Sequence, residues 1–312
     1  VRRWRNEIPT ELQSRLRITG NDLNDFALSW AINSHNSNLP DYTENIEMNH
    51  DRYGSMAQRL PVNGIYFQRM DAKLAMADAS YQWIDIDPFG SPVPFIDSAI
   101  QSLARTGVLE VTATDTAALT GSSLSSQKRR YGAQGIVDDY AHDDAVRVLL
   151  GMIAKTAAMH DRIIKPILSL FDGHHVRVSV LIKTSKEAAS NFQEQLGYRL
   201  RTKDVPYKFI KYPSGDQIKS ASGPLWIGPL MDKEIAGRLT EECAIQTCLP
   251  TSDELEELIA KGLAWSDKDV EYATREMIRS VKHISSAADL LSRQHMLLSL
   301  NSMPRLAGTK GA

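Results

Sequence analysis

Along the first half of the chain, short apolar runs alternate with longer segments whose apolar residues recur at helical spacing. Residues 15–20 read as a strand and lead into Asn21 and Asp22. Residues 24–36 then carry Phe26, Ala27, Trp30 and Ala31 on one helical face, with Asn24 or Asp25 placed to cap it. Residues 64–69 alternate as a strand and end at Asp71 and Ala72, ahead of a helix over 73–79. The stretch from Tyr81 to Pro92 holds an apolar run too short for a helix and bounded by proline and glycine, which predicts a buried strand. A helix over 94–105 follows, with Phe95, Ile96, Ala99 and Leu103 on one side, and then a strand over 107–112 leads into Ala113, Thr114, Asp115 and Thr116. Such β–α alternation predicts an α/β protein with a doubly wound, mostly parallel sheet.

Residues 121–135 are rich in Ser, Arg and Gly and read as a loop long enough to be functional. A helix over 138–160 comes next, then strands over 163–171 and 175–183. Their short link through Asp172, Gly173 and His174 predicts an antiparallel pair at the sheet end. Beyond it the pattern gives a helix over 185–196, a strand over 198–201, a Lys- and Tyr-rich hairpin, and a rigid apolar segment over 223–230 that reads as a domain junction. Helices over 233–240, 252–261, 270–282 and 285–300 predict a smaller, mostly helical C-terminal domain. The domain expectation is therefore 1–220 and 221–312. The chain opens at Val1 inside a helical pattern carrying Trp4 and Ile8, so the N-terminus of the natural protein is expected upstream.

Composition changes this picture little. With 312 residues, 42% hydrophobic and 24% charged, the chain has room for two ordinary globular domains. No apolar run approaches a membrane span and no signal-peptide pattern opens the chain, so a cytoplasmic protein is expected. The two cysteines, Cys243 and Cys248, lack a second ligand pair for structural zinc and read as buried thiols. The adjacent His174 and His175 would point to opposite faces of a strand, so no metal site is expected there. Net charge is −2, from 36 basic and 38 acidic residues, which leaves the partner open. Basic clusters are local: Arg2, Arg3 and Arg5, then Lys128, Arg129 and Arg130, then the Lys203 to Lys219 series.

The candidate chemistry sits at the ends of the expected strands, where open α/β sheets bind ligands. Asp87 can accept a hydrogen bond from an amine N–H, Pro88 removes a competing donor and stiffens the turn, and Phe89 offers a face to a planar base. These types suggest methylation of an amino group. They equally fit a strand-end acid capping a turn before a helix. Asp22 carries the same ambiguity, between holding ribose hydroxyls and capping a helix. Polar residues at three successive tips weigh more than any one of them.

Taken together, the tips at Asp22, Asp71, Asp87 and Asp115 make the chain resemble the class I S-adenosylmethionine-dependent methyltransferases, with a Rossmann-like fold. More narrowly, it resembles the tRNA (guanine-26, N2) dimethyltransferases. The resemblance is carried by IDIDPFGSPVPFIDSAI at 84–100, VTATDTAALTGS at 111–122, RRYGAQ with the later His142 and Arg147, and GPLWIGPL at 223–230. It implies that Asp22 binds the ribose of S-adenosylmethionine, that Asp71 and Ala72 address its adenine, and that Arg3 follows the cofactor loop. It implies that Asp87 contacts the guanine N2 and Phe89 stacks on the base, with Pro88 between them. It further implies a tRNA partner held partly by residues 221–312, and a monomer. The family's glycine-rich cofactor loop would lie just before Val1, and its closing segment is missing from the other end, so a fragment cut at both ends is expected. Rival expectations are methylation of adenine, cytosine or protein glutamine amines, a tRNA-binding module without catalysis, and a nicotinamide-dependent oxidoreductase on the same fold.

Overall fold

The structure, a computed structural model, describes residues 10–13, 15–36, 60–62, 65–77, 79–171, 173–201 and 208–238, together with 240, 242, 268, 271, 275, 278, 279 and 281. Arg3, Asp172, both cysteines and nearly all of the helices expected beyond residue 240 lie outside the described residues. The chain divides into two compact units, Val1–Ser80 and Tyr81–Ala312.

In the first unit, β1 (Ile18–Asp22) runs parallel to β3 (Ile65–Arg69), and β2 (Leu60–Val62) adds antiparallel to β3. Helix α1 (Asp25–Asn36) follows β1, and α2 (Ala72–Ala77) follows β3. Leu28 and Ile32, one helical turn apart on α1, are buried with Ile65 and Phe67, which alternate along β3. This small core fixes the register in which Asp22 faces Arg69, so both strands end at one edge. The parallel pairing and the β–α order match the expectation.

The second unit is built on a four-stranded sheet in the order β4-β5-β7-β6. Strand β4 (Tyr81–Ile86) is parallel to β5 (Leu103–Ala113), while β7 (Val176–Thr184) is antiparallel to both β5 and β6 (Arg162–Phe171). The expected antiparallel end pair is thus present. Alternate residues Ile84, Ile86, Leu109, Val111, Val178, Val180 and Ile182 are all buried. Helices α3 (Val93–Ser102) and α6 (Ala141–Met159) pack on these strands with Ile96, Ala99 and Ile100, and with Leu149, Leu150 and Ile153. Residues alternating with these carry charge: Arg177 bonds Asp85 at 2.9 and 3.2 Å and also pairs with Glu110.

Four expected elements differ. Residues 103–105, read as the end of a helix, begin β5; good helix formers there are overridden because Leu103 pairs with Tyr81. The expected loop over 121–135 is preceded by a helical turn, α4 (Thr116–Leu119), and itself contains a helix, α5 (Leu124–Tyr131). The helix read over 185–196 is a short α7 (Lys186–Ser190) followed by a 3-10 turn at Phe192–Gln195. The first half of the 223–230 segment lies in β10 (Ala221–Trp226), which pairs with β8 (Leu196–Leu200), itself paired with β9 (Lys208–Ile210).

A polar cluster ties this second sheet to α6. Arg199, fully buried, bonds Asp144 at 2.6–3.0 Å and Asp138 at 2.9 and 3.0 Å. Buried Arg147 donates to the carbonyls of Trp226 and Gly228 at 3.1 and 3.2 Å and lies over the Phe209 ring. Removing one partner from such a buried pair costs about 3–5 kcal/mol, so these contacts hold the small sheet in place. After β10 a short helix, α8 (Lys233–Ala236), is capped by Asp232. Among the described residues no helix is long and apolar enough to cross a membrane.

Candidate active site

In the first unit the predicted cofactor residues stand at adjacent strand ends. Asp22 closes β1, and its Oδ1 accepts from the Asn24 N–H at 2.7 Å. Asn24, one of the two residues expected to cap α1, does so through the N–H groups of Phe26 and Ala27. Asp25 instead pairs with Arg69 at 2.7 Å. Asp71 follows β3, accepts from the Lys73 N–H at 2.9 Å and leads into Ala72 at the start of α2. The side-chain amide of Asn21 donates to the Met70 carbonyl at 3.0 Å, tying the two tips together. Both carboxylates therefore shape turns, and among the described residues the second oxygen of each has no hydrogen-bond partner.

In the second unit β4 ends at Ile86, and Asp87, Pro88, Phe89 and Gly90 form the turn beyond it. The capping reading of Asp87 does not hold. The residue preceding α3 is Pro92, which offers no side-chain cap, and Asp87 has no hydrogen-bond or ion-pair partner among the described residues. Its carboxylate is exposed and unengaged. Phe89 beside it is as open as a side chain can be, at 104% relative exposure. Burying a phenylalanine is worth roughly 1.5–3 kcal/mol, so a ring left wholly in water at a strand tip is set apart from the core.

The turn that presents these two side chains is held firmly. Gly90 adopts φ +86°, a conformation that disfavours any side chain. Its N–H donates to the Thr114 hydroxyl at 2.6 Å, and the Thr114 N–H returns a bond to its carbonyl at 3.0 Å. The Tyr131 hydroxyl donates to Asp115 Oδ1 at 2.7 Å, so the 3.1 Å bond between Ser91 and Tyr131 takes its proton from Ser91. Burial pushes the Tyr131 phenol far above its ordinary pKa, with the neighbouring Asp115 adding to the rise, so it stays a donor. Arg130 holds the other Asp115 oxygen at 2.9 Å. Asp115, expected as one of the strand-tip acids, is thus a hub that joins β5, α5 and the β4 turn.

Thr114, Arg130 and Tyr131 lie in the motif segments 111–122 and 129–134, but no local pattern in the sequence assigns them a role. Helix α5 is seated by Gln127, whose amide donates to the Leu119 carbonyl at 2.9 Å and accepts from the Gly135 N–H at 2.5 Å. At Gly121, which has φ +84°, an added Cβ would meet Gly135 at 3.0 Å, so the two ends of the segment touch. His142 stacks on Phe171 with ring centroids 4.3 Å apart. His174 and His175 lie edge-on at 6.5 Å, both exposed. Among the described residues no three His, Cys, Asp or Glu side chains gather as metal ligands.

The sequence model of the family described as "N2,N2-dimethylguanosine tRNA methyltransferase" matches residues 3–296. The chain is 37% identical over 217 residues to the tRNA (guanine(26)-N(2))-dimethyltransferase of Metallosphaera sedula, which covers 65% of this chain and 56% of that protein. To the same-named protein of Thermoplasma volcanium it is 37% identical over 164 residues, covering 52% and 45%. The chain spans about half the length of the curated relatives it matches. Among solved structures, Trm1 from Pyrococcus horikoshii in complex with S-adenosyl-L-methionine superposes with a TM-score of 0.70, at 24% identity, over 98% of this chain and 73% of that one. That likeness shows the shared Rossmann-like methyltransferase fold. With nearly its whole length matched, the chain belongs to the N2,N2-dimethylguanosine tRNA methyltransferase family.

Proposed function

We propose that the protein transfers methyl groups from S-adenosylmethionine to the exocyclic N2 of a guanine at position 26 of tRNA. The observation that carries this reading is the β4 turn, where an unengaged carboxylate, Asp87, and a bare ring, Phe89, stand side by side on a backbone pinned through Gly90 and Ser91. The reading draws support from the curated relatives, named for guanine-26 N2 dimethylation.

Guanine N2 is a poor nucleophile because its lone pair is delocalised into the ring. A carboxylate that accepts the N2–H raises electron density on nitrogen and takes the proton as the new bond forms, which is general-base catalysis by Asp87. Phe89 stacks on the base and partly offsets the few kcal/mol spent in unstacking it from the tRNA. Pro88 offers no N–H to compete for the carboxylate and fixes the distance between the two side chains. S-adenosylmethionine, when bound, supplies an electrophilic methyl on a sulfonium. The free oxygens of Asp22 and Asp71 suit its ribose hydroxyls and its adenine amine, with Ala72 against the adenine. Arg3 belongs to the same cofactor assignment.

The same reading assigns residues 221–312 to holding tRNA, with β10 also serving as a strand of the second sheet. It has the protein act as a monomer in the cytoplasm. Asp87→Asn keeps the shape of the turn but cannot accept a proton. It should lower methyl transfer by about 10²- to 10⁴-fold with unfolding unchanged. Methyl transfer near the wild-type rate in that variant would sink the assignment.

A further inference from the structure

Helix α5 has two unlike sides. Gln127 and Tyr131, four residues apart, are buried and hydrogen-bonded inward, to Leu119 and Gly135 and to Asp115 and Ser91. Between them Lys128, Arg129 and Arg130 are all exposed. Among the described residues Arg130 alone of the three has an ion-pair partner, Asp115, while Lys128 and Arg129 pair with no carboxylate and Arg129 makes a 3.5 Å contact to Ser126. The helix itself contains no acid. Cations in a last helical turn favour the helix dipole, an effect that one of the three would satisfy. A run of three, two of them without an ion-pair partner among the described residues, on a chain of net charge −2 is more than that effect asks for.

Position gives the run a use. Tyr131 reaches Ser91, two residues beyond Phe89, so the basic turn is bolted beside the tip that presents Asp87 and Phe89. A nucleic acid that delivers a base to Phe89 must bring the phosphates on either side of that nucleotide past the same place. Accordingly, and resting on the function proposed above, we propose that Lys128 and Arg129 form a phosphate clamp that grips the RNA backbone flanking the target guanosine. An exposed guanidinium offers paired N–H donors that match a phosphate, and Lys adds a mobile point charge. Because α5 is anchored through Asp115, the clamp and the base-binding tip move as one body.

The test uses the full-length protein with Lys128→Gln and Arg129→Gln together, which keep helix propensity. It measures tRNA binding against salt, the KM and kcat of methyl transfer, and S-adenosylmethionine binding. The wild type should methylate tRNA, and the variant should show a raised KM for tRNA with kcat and cofactor binding unchanged. The slope of log Kd on log salt should fall by about 2, one for each lost phosphate contact. Restoring charge with Lys128→Arg and Arg129→Lys should recover the slope. A wild type that methylates tRNA and a variant with unchanged slope and KM would overturn the clamp alone. A wild type that binds no tRNA would overturn both the clamp and the function on which it rests.

Discussion

Truncating Phe89 to alanine separates folding from function more cleanly than any other single change. The ring is at 104% relative exposure, so its loss removes no buried apolar area and opens no cavity. The adjoining turn is fixed by the Gly90 and Thr114 bonds, which use backbone and hydroxyl groups and do not involve the ring. The unfolding midpoint should therefore stay within about a degree or two, as surface substitutions change stability by less than ~0.5 kcal/mol. Stacking of a base on an aromatic side chain is worth about 1–3 kcal/mol, and each 1.4 kcal/mol is a factor of ten. Phe89→Ala should thus lower kcat/KM for tRNA about 5- to 150-fold. The assay is transfer of labelled methyl from S-adenosylmethionine to tRNA under kcat/KM conditions, beside a thermal melt of the same sample. Phe89→Tyr, which keeps the π face, should retain most of the activity. Unchanged kcat/KM in Phe89→Ala would refute base stacking at this tip, and a fall of many degrees in the melt would show that the ring packs in the native state.

Two further outcomes follow from the supports of the site. Tyr131→Phe removes the hydroxyl that joins Asp115 to Ser91, so methyl transfer should fall by roughly tenfold while cofactor binding holds, the expected scale for losing a bond of about 1–1.5 kcal/mol. Equal rates in the two proteins would show that the turn is held without it. Asp143 is pushed up to about 7, chiefly by burial, against a lowering influence of Arg147. Its Oδ2 is buried without a partner. The folded state therefore binds a proton that the unfolded state releases near pH 4, and the resulting stability is lost as pH rises from about 4 through 7. Asp143→Asn should match the wild type near pH 4 and exceed it at pH 8, as measured by denaturant unfolding across that range. A wild-type stability that rises relative to the variant over the same window would contradict the assignment.

What the sequence revealed depended on where the physical signal lies. The β–α ladder was readable because its core positions alternate in aliphatic residues, as at Ile84 and Ile86 or Val176, Val178 and Val180. The strand tips could be located because each apolar run ends in polar residues, as at Asp22, Asp71 and Asp87. Helix α5 was not, since a helix seated by Gln127 and Tyr131 rather than by aliphatic residues has no hydrophobic period. Tyr131 went without a role for a related reason. Its partners, Asp115 and Ser91, are 16 and 40 residues away in the chain, and no local pattern links them. The 223–230 segment looked like punctuation because of its prolines and glycines. Pairing of β10 with β8 is a long-range choice that those residue types do not announce. Only the structure separated Asp87 from Asp22 and Asp71. All three are strand-tip acids, but two accept a turn N–H and Asp87 does not.

The central claim is that the reacting atom is the guanine N2 of tRNA. It is tested most directly by offering the full-length protein two tRNAs that differ only at position 26, guanosine in one and inosine in the other, with labelled S-adenosylmethionine. Inosine would keep the ring, the proposed stack on Phe89 and the flanking phosphates but lacks the amine that Asp87 would address. The digest of the first tRNA should contain N2-methylated guanosine and the second should carry no label. Equal labelling of the two tRNAs would contradict the central claim.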